Sequence, residues 1–108
     1  MRENDSMLSQ MKKGVLEMLV LALLHEKEDY PAGLISRLNE NGLKTVEGTL
    51  YPLLTRLKNN GYLHYRWEES PSGPPRKYFQ LTGEGKKYLN ELKTSWKELH
   101  SITNIILK

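Results

Sequence analysis

The apolar period of this 108-residue chain changes twice, and those two changes constrain its fold more than any other feature. Up to Gly61 apolar residues recur at spacings of three and four, the repeat of a helix face. From Leu63 to Leu81 they alternate, the repeat of a strand, and from Thr82 onward the helical spacing returns. Leu8, Met11, Val15, Leu16, Leu19 and Leu23 predict a first helix beginning near Met7. Val20, Leu21 and Leu24 widen its apolar arc, so it is buried on several sides. Pro31 suits the first turn of a second helix whose inward face is Leu34, Ile35 and Leu38, with Asn41-Gly42 as its stop.

A third helix is predicted from an N-cap at Thr45 to Asn59-Asn60-Gly61. Leu50, Leu53, Leu54 and Leu57 form its core face. Pro52 is expected to bend or loosen it, with Gly48 four residues back able to yield. Leu63, Tyr65 and Trp67 then make one strand, and Lys77, Phe79 and Leu81 its return. Ser70-Pro71-Ser72-Gly73-Pro74-Pro75 between them predicts a long, stiff hairpin tip. Thr82 caps a last helix of about 25 residues, or about 37 Å, started weakly by Gly83 and Gly85. Its stripe of Leu89, Leu92, Trp96, Leu99 and Ile106 is too long for so small a domain to cover.

The predicted fold class is therefore mainly α with a β-hairpin: a winged helix-turn-helix over residues 1–82, ordered from about residue 7, and a C-terminal dimerisation helix over 83–108. In such an order the third helix enters the DNA major groove and the hairpin is the wing. At 100° per residue, the face opposite the core leucines carries Thr45, Gly48, Pro52, Thr55, Arg56 and Asn59, flanked by Thr49 and Tyr51. It is small, polar and nearly free of acid. Glu47 is the exception and is expected to turn toward the core side. Arg66, Arg76 and Lys77 flank the hairpin tip, where long cations reach phosphates.

Three stretches resemble the PadR-like transcriptional regulators. Lys13 to Leu21 resembles that family's first helix, Glu47-Gly48-Thr49-Leu50-Tyr51-Pro52-Leu53-Leu54 with Arg56-Leu57 and Gly61 its recognition helix, and Gly73 to Tyr78 with Leu81-Thr82 its wing and the cap beyond it. The resemblance spans about Lys13 to Ile106. It implies a homodimeric repressor whose last helix packs on its partner, and a DNA-reading segment from Thr45 to Tyr51 with Arg76 and Lys77 in the wing. One departure stands out: Ala32-Gly33-Leu34 occupies the place of the family's usual Gly-Tyr-Glu, and Tyr30 is the available substitute.

The expected DNA-binding residues are thus Lys44, Thr45, Gly48, Thr49, Tyr51, Thr55, Arg56, Arg76 and Lys77. The expected dimer interface is Leu16, Leu19, Leu89, Leu92, Trp96, Leu99 and Ile106. Trp96 reads either as interface core or as the wall of a cage for a small planar aromatic effector. The rival to a double-stranded DNA operator as partner is a winged-helix protein-interaction module that does not bind DNA. The charge is compatible with either. It is +3 overall, balanced over residues 1–61 (8 basic, 8 acidic) and positive beyond (8 basic, 5 acidic).

Catalysis has little footing. His25, His64 and His100 are scattered, cysteine is absent, and Gly83-Glu84-Gly85 lacks the lysine of a phosphate loop. The expectation is no enzyme, no metal and no cofactor. The longest apolar run, Met18 to Leu24, is seven residues against the ~20 of a membrane span, which predicts a cytoplasmic protein.

Overall fold

A computed structural model describes residues 10–108. The start of the first predicted helix, with Met7 and Leu8, lies outside the described residues. Residues 10–13 are helical, but the helix does not run on as expected. The amides of Gly14 and Val15 bond three residues back, to Met11 and Lys12, and this tight turn interrupts it. Glycine, the weakest helix former after proline, marks the break. Helix α1 then spans Leu16–Glu26.

Helix α2 is Pro31–Glu40 with proline at its first turn, and α3 is Glu47–Asn59. They end at Asn41-Gly42 and Asn60-Gly61, where the sequence placed stops. Helix α3 is unbroken at Pro52. Gly48, whose carbonyl proline cannot serve, is exposed to solvent. The predicted N-cap moves by one residue. Val46 occupies that position without a side-chain cap bond, and Thr45 is buried instead.

Strands β1 (Leu63–Ser70) and β2 (Gly73–Leu81) pair antiparallel, from Leu63↔Leu81 to Glu68↔Arg76. The long tip is not found. Pairing continues past an irregularity to Ser70↔Gly73, so only Pro71 and Ser72 turn the chain. Pro74 and Pro75 lie within β2, tolerated because a two-stranded sheet leaves each strand an edge with no ladder to break.

Helix α4, Gly83–Leu107, opens as predicted, with the Gly85 amide donating to the Thr82 hydroxyl at 3.0 Å. The Thr82 hydroxyl itself donates to the Gly61 carbonyl. Gly85, which looked like a weakness, is a close approach: a Cβ there would lie 2.1 Å from the Tyr62 carbonyl oxygen. One core joins all the elements, built from Leu21, Leu34, Leu50, Leu54, Leu57 and Leu89 with Phe79 from the hairpin. Only the first turns of α4 share in it. Tyr88 stacks on Tyr62 with ring centres 4.1 Å apart and donates a hydrogen bond to Glu17 of α1. Beyond them Trp96, Leu99, Ile102, Ile105 and Ile106 are exposed.

Candidate nucleic-acid interface

The period of α3 sorts its side chains into two sets. Leu50, Leu53, Leu54 and Leu57 are buried, and Gly48, Thr49, Tyr51, Thr55, Arg56 and Asn59 are exposed, as predicted. Two residues depart from the placement expected at 100° per residue. Thr45 is 4% exposed. Its amide donates to the Asn39 side-chain oxygen at 2.9 Å and its hydroxyl to the Leu43 carbonyl at 3.1 Å. It shapes the approach to the helix and reaches the surface only at the floor of the hollow lined by Lys12, Lys13 and Lys44. The 100° spacing does not reach it, because the helix has not yet begun at residue 45. Glu47, expected on the core side, is exposed in the first turn, where a carboxylate complements the helix dipole.

Cations gather at the amino end of α3. Lys12, Lys13 and Lys44 line one hollow with Asn39 and Thr49, and Lys13 and Arg56 line the next with Glu17, Thr49 and Pro52. The Lys12 ammonium donates to the Lys44 carbonyl and ties the two segments together. Lys12 and Lys13 were not expected beside α3, because they read as part of one long helix. The Lys-Lys-Gly sequence was the available signal, since the helix breaks at Gly14, directly after both lysines.

On the wing the cations divide. Arg66 is committed internally, paired with Glu28 and with Glu68, its guanidinium 5.1 Å from the centre of the Tyr78 ring. The hydrogen bond from Arg66 holds the Glu28 carboxyl below the usual carboxylate range despite partial desolvation, with Gln80 as a second donor. Arg76 and Lys77 rest on rings instead. The Arg76 guanidinium lies 4.3 Å from the Tyr30 ring centre. The Lys77 ammonium lies 4.6 Å from that of Tyr65 and 5.3 Å from that of Trp67. The ion pairs among the described residues involve Arg37 and Arg66 and include neither of them. Both keep their charge available on a stiff mount.

The wing is also fixed to the helices. Asp29, between α1 and α2, exchanges two backbone hydrogen bonds with Phe79 of β2. Its buried carboxylate accepts from the Tyr30 amide and from Arg37, which also donates to the Leu23 carbonyl. This explains the departure at Gly33: a Cβ there would lie 2.0 Å from the Asp29 carboxylate. The space another side chain would take is filled by the group that anchors the wing.

Of the expected interface residues, Leu16 and Leu89 are 4% and 1% exposed within this one chain. They are core, and the stripe on α4 starts later than the sequence suggested. Leu19 and Leu92 are half-buried, whereas Trp96, Leu99 and Ile106 are exposed. Among the described residues no group of three or more His, Cys, Asp or Glu could hold a metal ion. No helix among them is long and apolar enough to cross a membrane.

The model of the transcriptional regulator PadR-like family matches residues 20–91, from α1 into α4. The chain belongs to that family. PadR-like proteins are transcriptional regulators and not enzymes. Solved relatives agree over nearly the whole length. A PadR-like transcription factor from Bacteroides fragilis is 53% identical, with a TM-score of 0.78 over 94% of this chain and 98% of that one. A PadR family transcriptional regulator from Eggerthella lenta is 35% identical, with a TM-score of 0.89 over 96% and 91%. A curated protein of Lysinibacillus sphaericus, itself uncharacterized, is 30% identical over 93% of this chain and 94% of its own. The winged helix of this PadR-like chain is thus the fold of a family of transcriptional regulators.

Proposed function

We propose that this protein is a homodimeric repressor that reads a pseudo-palindromic DNA operator. The observation that carries the reading is the exposed, acid-poor face of α3 with cations on both sides: Lys12, Lys13 and Lys44 at its amino end, Arg76 and Lys77 on the wing. In this reading Gly48, Thr49, Thr55 and Arg56 meet the major groove and Tyr51 the strand that borders it. Residues 1–82 form the DNA-binding unit and 83–108 the dimerisation helix. Repression follows from occupancy of the operator. The family match favours this over an interaction module that leaves DNA alone.

The test is a gel shift with the DNA upstream of the protein's own gene, repeated across salt concentrations. Each phosphate contact contributes about 0.9 to the slope of log affinity against log salt. An Arg76→Ala, Lys77→Ala double variant is expected to lose nearly 2 units of slope, while Thr49→Ala alters discrimination between operators. No shift at any salt concentration would refute the reading.

The effector belongs to the same proposal. Trp96 lies exposed on the dimer stripe with the His100 ring 5.7 Å from its own. Two such indoles across a two-fold axis would sandwich a planar aromatic guest. Quenching of tryptophan emission by planar dyes should fall sharply in Trp96→Phe. Undiminished quenching would leave Trp96 as interface packing alone.

A further inference from the structure

The face of the hairpin that begins as core ends as something else. Leu63, Tyr65 and Trp67 share one face of β1 by alternation, opposite Leu81, Phe79 and Lys77 of β2. Leu63, Phe79 and Leu81 are buried, and Tyr65 is half-buried against Phe79. Trp67, one step further, has run past the edge of the core and is 60% exposed. An indole offers one of the largest apolar surfaces of any side chain, and leaving most of it in water is costly unless something covers it.

Its surroundings indicate what does. Trp67 lines an open hollow of about 370 Å³ with Tyr30, Tyr51, Pro75, Arg76 and Lys77. Tyr51 comes from α3, Tyr30 from the start of α2 and the rest from the wing, so the hollow lies between recognition helix and hairpin. Its walls are rings, two prolines and Ala32, its charges are two cations, and among the described residues no carboxylate lines it. A chain of apolar sugar rings strung on anionic phosphates complements that pattern, whereas an apolar peptide leaves both cations unmatched. We infer that the hollow seats one sugar-phosphate strand of the duplex, with the Trp67 and Tyr51 rings against deoxyribose and Arg76 and Lys77 on the flanking phosphates. The inference rests on the DNA-binding reading and adds Trp67 as a contact residue of the wing.

Trp67 and Trp96 are the chain's two tryptophans, so Trp96→Phe leaves Trp67 as the one indole. Labelled double-stranded DNA is titrated into that variant, with label anisotropy reporting binding and indole emission reporting Trp67. The expected result is quenched, blue-shifted emission that saturates together with the anisotropy. In the wild-type background, Trp67→Ala should weaken binding about tenfold with an unchanged salt slope, since no charge is removed. Trp67→Phe should recover part of the loss. Had Trp67 merely propped up Lys77, its removal would flatten the slope as Lys77→Ala does, and that result overturns the inference. DNA binding with unmoved emission and undiminished Trp67→Ala affinity overturns it too, while leaving the regulator intact. Wild-type protein that binds no duplex at any salt concentration would remove the DNA reading itself and this inference with it.

Discussion

Trp67 and Trp96 make an instructive pair, because each is an indole that its own chain leaves uncovered. Trp67 is 60% exposed and Trp96 42%. What separates them is company. Trp96 continues into Leu99, Ile102, Ile105 and Ile106, all exposed on one helix, with only its first turns anchored in the core. Trp67 is followed by no apolar stripe and has Lys77 opposite it and Arg76 nearby. An aromatic at the head of an apolar stripe calls for another protein surface, and one set among cations that make no ion pair among the described residues calls for a polyanion. Exposure alone does not separate the proposed dimer interface from the proposed nucleic-acid interface, whereas the neighbours favour a different partner for each.

The largest expected effect lies on the α4 side. Leu99→Asp with Ile106→Asp should abolish self-association. Each buried aliphatic side chain contributes ~2 kcal/mol and the change falls on both protomers, so dimer affinity should drop by at least about a thousandfold. Light scattering should show monomer with its circular dichroism retained, because neither residue belongs to the core. A dimer of unchanged stability would break the contrast between the two surfaces.

The next effect falls on the wing side. Gly33→Ala drives a methyl into the Asp29 carboxylate. Overpacking of this kind costs roughly 1–3 kcal/mol. Relief by swinging Asp29 out sacrifices its bonds to Arg37 and the Tyr30 amide. The melting temperature should fall by several degrees and DNA affinity with it, while self-association per folded molecule stays as it was. Thr82→Ala, between the two regions, removes the cap of α4 and should cost about 1 kcal/mol in thermal unfolding.

The smallest effect comes from Glu28. Its carboxyl titrates lower when folded, because Arg66 donates to it. The link therefore adds stability above the ordinary carboxylate range and loses it as pH falls through the folded value. Glu28→Gln should flatten slightly the melting temperature against pH between about pH 3 and 5. Because the pair is at the surface, added salt should shrink even that difference.

Much of this was legible in the chain because the signals are local. The stops at Asn41-Gly42 and Asn60-Gly61, the cap at Thr82, the leucine face of α3 and the alternation of the hairpin each depend on a few adjacent residues. The failures are tertiary. Pro74 and Pro75 suggested a loop, but a hairpin without a third full strand leaves them an edge. Leu16 and Leu89 have the spacing of interface residues and are consumed by the monomer's own core. The anchoring of the wing by Asp29 joins residues fifty apart, and only the odd glycine at position 33 hinted at it.

That anchor has a mechanical consequence. With the segment before α2 bonded to β2 in both directions, helices and wing turn as one jaw. The bare shaft of α4 is then the handle, and a proposed dimer of such chains is a pair of callipers. Its gap must match half-sites about 34–36 Å apart. A 25-residue handle is about 37 Å long, so a pivot of roughly 5° at its base displaces the far end by about 3 Å, close to one base-pair step. A guest wedged between the handles would never need to touch the jaws to spoil their span.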